Sequence, residues 1–460
     1  MAASFTPKQP TNQMNRKEIR WAAAGVLASV AFATSAVAQS SDALLDKLVE
    51  KGILTTKEAN ELREEADKGF NTAYAVKSGM PDWVTSLKLN GDFRGRFEGF
   101  YTDNPDFVDR NRFRYRLRFG AVATIVDDFE VGLRLTSSDT AGGFTEGDPI
   151  SGNTTLQNNG SKKFVFVDQA YAKWSPLKGP EWSGTFTIGK MENPLVFSDM
   201  VFDADYTPEG AAAQFAYALN GQHSLKLNGA GFVLDEIGGT SHDPYLLGAQ
   251  LRWDAAWNKK VTTTAGVAGL DIVHDENLGN AAVPNVNRGN TRNVAGSPQY
   301  HFNPVVLDAS LTYTLESFPM YTGPFPIKVG GDYMYNPAAP SSVDNYAYSA
   351  GILFGKSGKK KTWDLAYTWK WLGGDSWWEE LTDSDFGAFY DAGNSPPNSG
   401  AGVGYGAGTN VKGHILKASY SPNDSLTLSV KWFLTELIEP FPPVSDSKIS
   451  RLQVDAMWKF

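Results

Sequence analysis

The chain contains no cysteine and only five histidines in 460 residues. Disulfides and thiolate metal sites are therefore excluded, and the fold must hold without covalent staples. The histidines, His223, His242, His274, His301 and His414, fall in five different segments. The pair His223-Ser224 lacks the strand-turn-helix frame of a nucleophile elbow, and no zinc-protease spacing is present. An enzyme is not expected, nor a cofactor or metal. Long hydrophobic runs are also missing. After Ser40 no uncharged apolar stretch approaches the roughly 20 residues of a spanning helix, and mean hydropathy is −0.32. A basic excess is absent too. Lys8, Arg16, Lys17, Arg20 and Glu18 lie in the first 38 residues, so the 42 basic and 51 acidic groups of the whole chain become 38 and 50 beyond them, a formal charge of −12. That balance argues against nucleic acid as a partner.

What is present is glycine (45 residues), aromatics (13%) and alternation. At the N-terminus, Arg16, Lys17 and Arg20 precede an uncharged, Ala-rich stretch from Trp21 to Ala38 that ends Ala36-Val37-Ala38. This reads as a secretory signal peptide over 1–38, with a membrane anchor as the alternative. Leu44, Leu45, Leu48 and Val49 then lie at helical spacing up to Gly52, and Thr55-Thr56-Lys57-Glu58 begins a second helix through Leu62 and Ala66 to Gly69. Residues 39–69 are thus expected to form a short α-helical hairpin. It is too small for its own core, so its stripe needs a sister copy or another partner. Residues 70–82 read as a linker.

From Trp83 the period changes to two. Leu87, Leu89, Phe93 and Phe97 alternate with charged and polar neighbours, as do Phe113, Tyr115, Leu117 and Phe119 with four arginines. Such runs place strands near 85–101, 111–126, 129–137, 163–175, 182–191, 210–219, 223–234, 245–257, 261–273, 303–316, 326–336, 345–355, 362–372, 411–421, 425–435 and 448–460. Asp168 shares parity with Phe164 and Phe166, which predicts a bulge or a misplaced boundary in the fourth run. Long and short connections alternate. The short ones hold turn formers such as Asn220-Gly221-Gln222, Asn258-Lys259-Lys260 and Pro422-Asn423-Asp424. The last run keeps Leu452, Val454, Ala456, Trp458 and Phe460 on one face and Arg451, Gln453 and Asp455 on the other. It looks like the final strand of a bacterial outer-membrane barrel, with Leu452, Val454, Trp458 and Phe460 as the terminus read by barrel-assembly machinery. The expected fold is all-β: residues 83–460 as a transmembrane antiparallel β-barrel of about 16 strands. An even count puts both termini on the short-turn side, hence the hairpin in the periplasm.

Two constellations stand out. Arg94 and Arg96 share one strand face, and Arg112, Arg114, Arg116 and Arg118 share the next. Opposite aromatic faces turn these arginines inward, where a permanent positive field would act on passing ions. The alternative is a solvated strand face of scattered charge. The third long connection carries Glu192, Asp199, Asp203, Asp205 and Glu209 among Phe197, Met200, Val201 and Phe202. If it folds inward it becomes a constriction loop facing the arginines; otherwise it is an ordinary outer loop. The seventh, 373–410, holds Trp377-Trp378-Glu379-Glu380, Asp383, Asp385 and Asp391; it too could fold in, or bind a divalent cation, although the aspartate spacing matches no standard calcium loop.

The stretches Leu87-Lys88-Leu89-Asn90-Gly91-Asp92-Phe93-Arg94-Gly95-Arg96-Phe97-Glu98 and Arg110-Asn111-Arg112-Phe113-Arg114-Tyr115-Arg116-Leu117-Arg118-Phe119-Gly120 resemble the opening of the "Putative porin" family of Gram-negative bacteria. Ile188-Gly189-Lys190-Met191-Glu192-Asn193-Pro194 and Phe202-Asp203-Ala204-Asp205-Tyr206-Thr207-Pro208-Glu209-Gly210 resemble its middle segments, with Lys190 where the family often has Arg. The resemblance spans about 83–460. It implies an outer-membrane diffusion channel, trimeric like related sixteen-stranded porins, and fixes no substrate. The expected role is a porin in outer-membrane lipid that passes small hydrophilic solutes and ions, and the excess of arginines over acids on the first two strands adds a weak lean to anions. Phosphate specificity does not carry over, because no lysine-rich constriction loop is present. The competing expectation is a structural barrel that anchors its periplasmic hairpin to cell wall or a partner.

Overall fold

The computed structural model describes residues 81–126, 128–138, 150–278, 287–390, 404–440 and 446–460. The expected signal peptide, the helical hairpin, nearly all of the linker, and Asp391 lie outside these residues. Sixteen strands form one closed sheet: β1 Val84–Tyr101, β2 Arg110–Ile125, β3 Phe129–Ser138, β4 Phe164–Lys178, β5 Trp182–Lys190, β6 Glu209–Ala218, β7 His223–Val233, β8 Tyr245–Ala256, β9 Val261–Val273, β10 Val305–Leu315, β11 Phe325–Tyr335, β12 Tyr346–Gly355, β13 Thr362–Leu372, β14 Val411–Ser421, β15 Leu426–Leu437 and β16 Ile449–Lys459. Each pairs antiparallel with its sequence neighbours, and β1 also pairs with β16, so the sheet has no free edge.

Alternation sorts the two faces. On β10, Val305, Leu307, Leu311 and Tyr313 are exposed on the outside, while Asp308, Ser310 and Thr312 point in. The same sorting round the barrel leaves an outward belt of large exposed hydrophobics. Water would not tolerate such a continuous belt, and lipid requires it. Aromatic clusters edge it. On the short-turn side Trp174 stacks between Phe129 and Phe186, at centroid distances of 6.0 and 5.9 Å, and Trp182 stacks on Tyr217 at 4.2 Å. On the long-connection side Tyr346, Tyr348 and Trp371 lie parallel within 6.5 Å of one another.

Local chemistry fixes the turns. The side-chain oxygen of Asn220 accepts from the amides of Gln222 and His223. Asn258 does the same for Lys260 and Val261, and Asn423 for Ser425 and Leu426. Each is an Asx turn that spares the strand ends an unpaired amide. The bulge expected in β4 is there: Arg134 pairs with Gln169 and Leu135 with Val167, leaving Asp168 unmatched. The extra residue turns the Asp168 carboxylate inward, where Arg134 binds it. A second irregularity, between Trp174 and Leu177, accommodates Pro176, which has no amide to give a ladder.

The seam closes at the last residue. The Gly91 amide donates to the Phe460 carbonyl at 2.9 Å, and the Phe460 amide to the Gly91 carbonyl at 3.1 Å. A Cβ on Gly91 would come within 2.5 Å of the Phe460 ring and of the Arg118 carbonyl. The aromatic ring therefore covers the bare backbone of β1.

Candidate functional site: a bridged lumen

Loop 191–208 leaves the barrel between two glycines that face each other across β5 and β6. Gly189 has φ 108° and Gly210 φ 155°, and a Cβ on either would strike a carbonyl of the neighbouring strand. Only glycine combines that backbone with that closeness. From this neck the loop crosses the lumen. Gln250 on β8 holds both backbone groups of Val196, at 2.9 and 2.7 Å, and Arg252 reaches the same carbonyl at 3.2 Å. Further along, Met200, Val201 and Phe202 are buried against Trp377 and Leu381 of the connection after β13. The Trp377 indole donates to the Val201 carbonyl at 2.9 Å, and the Asp203 amide to the Leu381 carbonyl at 2.8 Å.

The cup that receives these loops is apolar. The inward residues nearest the long connections are Phe232, Leu246, Ile272, Val306, Met334, Ala347 and Leu372, all buried with the loop residues in one cluster. Lower on the same strands the inward face is polar. On β11 it runs Lys328, Gly330, Asp332 and only then Met334. Sequence reasoning read each strand as one polar face and missed this switch, because a single apolar residue at a strand end carries little periodic signal.

All six arginines singled out by alternation lie on the inward face of β1 and β2, and most meet carboxylates. Arg96 forks onto Asp455 at 2.7 and 2.8 Å and also contacts Asp385 at 3.4 Å. Glu98, fully buried, binds Arg112, Arg451 and Gln453, with Arg114 at 3.7 Å. Asp205 joins Arg116 at 2.8 Å and Arg118 at 3.1 Å, and Asp92 joins the same pair at 3.2 and 2.7 Å. Arg94 donates to the Asn153 amide oxygen at 2.7 Å, on the segment that returns to pair with β2 through Thr154–Thr155.

The five loop acids are spread rather than gathered on the arginines. Only Asp205 meets that ladder. Glu192 contacts Arg134 at 3.4 Å and Glu209 contacts Lys190 at 3.0 Å. Asp199 lies across the lumen, 2.7 Å from the Lys370 ammonium of β13. Asp203 accepts amides from Asp205 and Ser384, each at 2.8 Å. A loop that crosses a lumen must distribute its charges over both walls. Lys370, fully buried, also contacts Asp383 at 3.4 Å, so one ammonium serves two carboxylates. Burial opposes the charge of Asp199, but the closer Lys370 keeps it below the usual carboxylate range. Burial, with Asp383 and Asp205 nearby, pushes Asp203 up to about 7. Burial raises Asp383 as well. In Asp385 the guanidiniums of Arg451 and Arg96 overcome a large burial penalty and hold it low.

Lys370, Arg451 and Asp455 were not among the site residues expected from sequence, and Asp385 was singled out only as part of the seventh connection. The signal for Lys370 existed: it sits between Trp369 and Trp371, whose outward parity turns it inward.

Two cavities lie on the lumen side of this bridge. One, of about 450 Å³, is lined by Phe197, Asp199, Arg252, Asp308, Lys328, Asp332 and small residues of β9–β13. The other, of about 230 Å³, is lined by Arg134, Gln169, Tyr171 and Glu192. A groove of about 490 Å³ beside outward-facing Trp369, His414 and Leu434 opens away from the lumen. Among the described residues no group of three or more His, Asp or Glu could hold a metal ion.

Comparison with solved structures finds barrels at low identity. The high-pH structure of Pseudomonas putida OprB is 11% identical with a TM-score of 0.48, covering 86% of this chain and 97% of that one. Salmonella typhi OmpF is 11% identical with a TM-score of 0.46, covering 83% and 99%. OmpT of Vibrio cholerae lacking its loop L8 is 10% identical with a TM-score of 0.42, covering 82% and 99%. No curated protein matches the chain. Residues 100–286, from the end of β1 into the connection after β9, match the family model described as "Putative porin".

Proposed function

We propose that this chain is an outer-membrane porin, a water-filled channel for passive diffusion of small hydrophilic solutes and ions. The observation that carries the reading is the closed sixteen-strand sheet with an apolar outside, a charged inside and a loop folded across its lumen. The family match over 100–286 supports it. In this reading loop 191–208 narrows the path. Arg94, Arg96, Arg112, Arg114, Arg116 and Arg118 form one charged wall, matched by Asp92, Glu98, Asp205, Asp385 and Asp455. Such matched charges order water and penalise apolar solutes without a strong net field. A lean to anions therefore draws little from this ladder.

The assembly reading is a homotrimer in the outer membrane, with 1–38 removed as a signal peptide, the helical hairpin of 39–69 in the periplasm, and 70–82 as a linker. The apolar packing of Trp377 and Trp378 against the lumen cup favours one rival, a barrel plugged on its outer side that serves as an anchor. Single-channel recording in a planar bilayer separates the two. Discrete conductance steps from folded, heat-modifiable protein support the porin. Folded protein that never conducts overturns it.

A further inference from the structure

Strand register gathers three lysines that the sequence scatters. Lys328 on β11 pairs with Leu353 on β12, which pairs with Ala366 on β13, which pairs with Lys417 on β14, which pairs with Lys431 on β15. All five side chains lie in one row of the inward face. Lys431 lies over the Phe433 ring at 4.6 Å and acts on Asp199 and Asp383. Lys328 and Lys417 instead line the cavity of about 450 Å³. Lys328 is exposed to it and, among the described residues, has no carboxylate within ion-pair distance. Lys417 touches Asp364 at 3.4 Å, yet its side chain stays 42% exposed. The contrast with the buried, carboxylate-bound arginines is the point: these two ammonium groups still have charge to offer a solute.

The rest of the cavity is shaped to one side of them. Above the lysine row come Ser310, Gly330, Gly351 and Thr368, which together leave bare backbone and hydroxyls. A Cβ on Gly330 would come 2.8 Å from the Ala309 carbonyl, and one on Gly351 would come 2.9 Å from the Tyr367 carbonyl, so neither position can be filled cheaply. One row further sits Asp332, which accepts the Ser349 hydroxyl at 2.7 Å, beside Asp308 held by Arg252 at 2.9 Å. Lys328 and Asp332 are four residues apart on one strand, about 13 Å at strand rise. The cavity thus has two lysines at one end, Asp332 and the Arg252–Asp308 pair at the other, and small polar residues between.

We propose that Lys328 and Lys417 form a solute-binding station for small hydroxylated carboxylates of the sugar-acid class. The carboxylate is held at the lysines, and the hydroxyl chain lies along Ser310 and Thr368 towards Asp332. A lysine is a compact point charge with rotatable donors, suited to holding a carboxylate briefly rather than locking it. A conducting site needs that property, since binding must favour entry without preventing exit. The station rests on the channel reading and names a solute class for it.

Gluconate is the probe, with glucose as the neutral control, in single-channel recordings of the full-length protein. Gluconate should interrupt the wild-type current and glucose should not. Lys328→Met should cut the frequency of interruptions severalfold, and Lys328→Arg should retain it. Lys417→Met, combined with Asp364→Asn so that no buried carboxylate is stranded, should act in the same direction. Equal interruption of wild type and Lys328→Met by gluconate overturns the station, as does equal interruption by glucose. A wild-type protein that folds but carries no current overturns the channel reading and the station with it.

Discussion

Replacing Lys370 tests whether the bridge across the lumen is held by charge. Its ammonium is fully buried between Asp199, at 2.7 Å on loop 191–208, and Asp383, at 3.4 Å on the connection after β13. It ties both loops to the barrel wall. Lys370→Met keeps the length of the side chain and removes the charge, leaving the buried Asp383 and the partly buried Asp199 with no cation in ion-pair contact and only Lys431 acting on them from further off. Breaking a fully buried pair costs about 3–5 kcal/mol, an upper bound here because Asp199 keeps about a third of its side chain exposed and Lys431 remains. The barrel ladder does not pass through that contact, so the cost falls on loop docking. At about 1.4 kcal/mol per tenfold, the docked fraction should fall, relative to the undocked one, by at most about two to four orders of magnitude. Single-channel conductance should rise or become noisy, and residues 373–390 should become sensitive to protease, while heat-modifiable mobility stays as in wild type. Adding Asp199→Asn and Asp383→Asn should restore most of the wild-type behaviour, because replacing all partners of a buried charge set is far cheaper than orphaning some of them. A Lys370→Met barrel with wild-type conductance and wild-type protease resistance would refute the reasoning.

Three more predictions follow from the same geometry. Asp203 has its folded value raised to about 7, chiefly by burial and then by Asp383 and Asp205, so its contribution to loop docking is full below its ordinary value of 3.8 and is lost as pH rises through about 7. The swing is at most about 4 kcal/mol at 1.36 kcal/mol per unit. Current noise should therefore grow from about pH 5 to about pH 8 and flatten in Asp203→Asn; a wild-type trace indifferent to pH across that range counts against it. Gly91→Val should push the Phe460 ring off the seam and lower the yield of folded barrel in outer membranes, and an unchanged yield would mean that the ring is not needed there. Because the chain has no cysteine, Val294→Cys on the long-connection side should react with an impermeant thiol reagent on intact cells while Met320→Cys on the short-turn side should not; the opposite pattern inverts the topology.

Strand existence was legible because lipid on one side and water on the other impose a period of two on every strand. The run expected at 261–273 is Val261–Val273 in the structure, and that at 245–257 ends one residue earlier, at Ala256. Even the exception was readable, since Asp168 broke parity and the bulge sits there. The inward turn of the arginines followed from their aromatic alternates, but their partners did not. Asp385 and Asp455 come from loops and strands hundreds of residues away, and only the closed sheet brings them to Arg96. The lysine row was invisible for the same reason. Lys328 and Lys431 are the single lysines of their strands, Lys417 is one of two in its own, and register alone, set by turns and bulges, puts the three level.

The seam between β1 and β16 carries a consequence for the order of folding. Arg96 and Asp455 are 359 residues apart, so the contact that closes the barrel is among the most costly in chain entropy and the last that synthesis makes available. Until then β1 and the growing sheet present open edges, the condition under which strand proteins aggregate. The same pairs also proofread the closure. In register, Arg96 stands opposite Asp455 and Phe100 opposite Arg451, while the Arg451 side chain reaches Glu98. A slip of two residues in one direction would keep every side chain on its proper face, yet set Glu98 against Asp455 and Arg94 against Lys459. Hydrophobic patterning cannot detect that error; like charges meeting in the lumen can. The ion pairs at the seam thus act at the moment of closure, rejecting cylinders that lipid alone would accept.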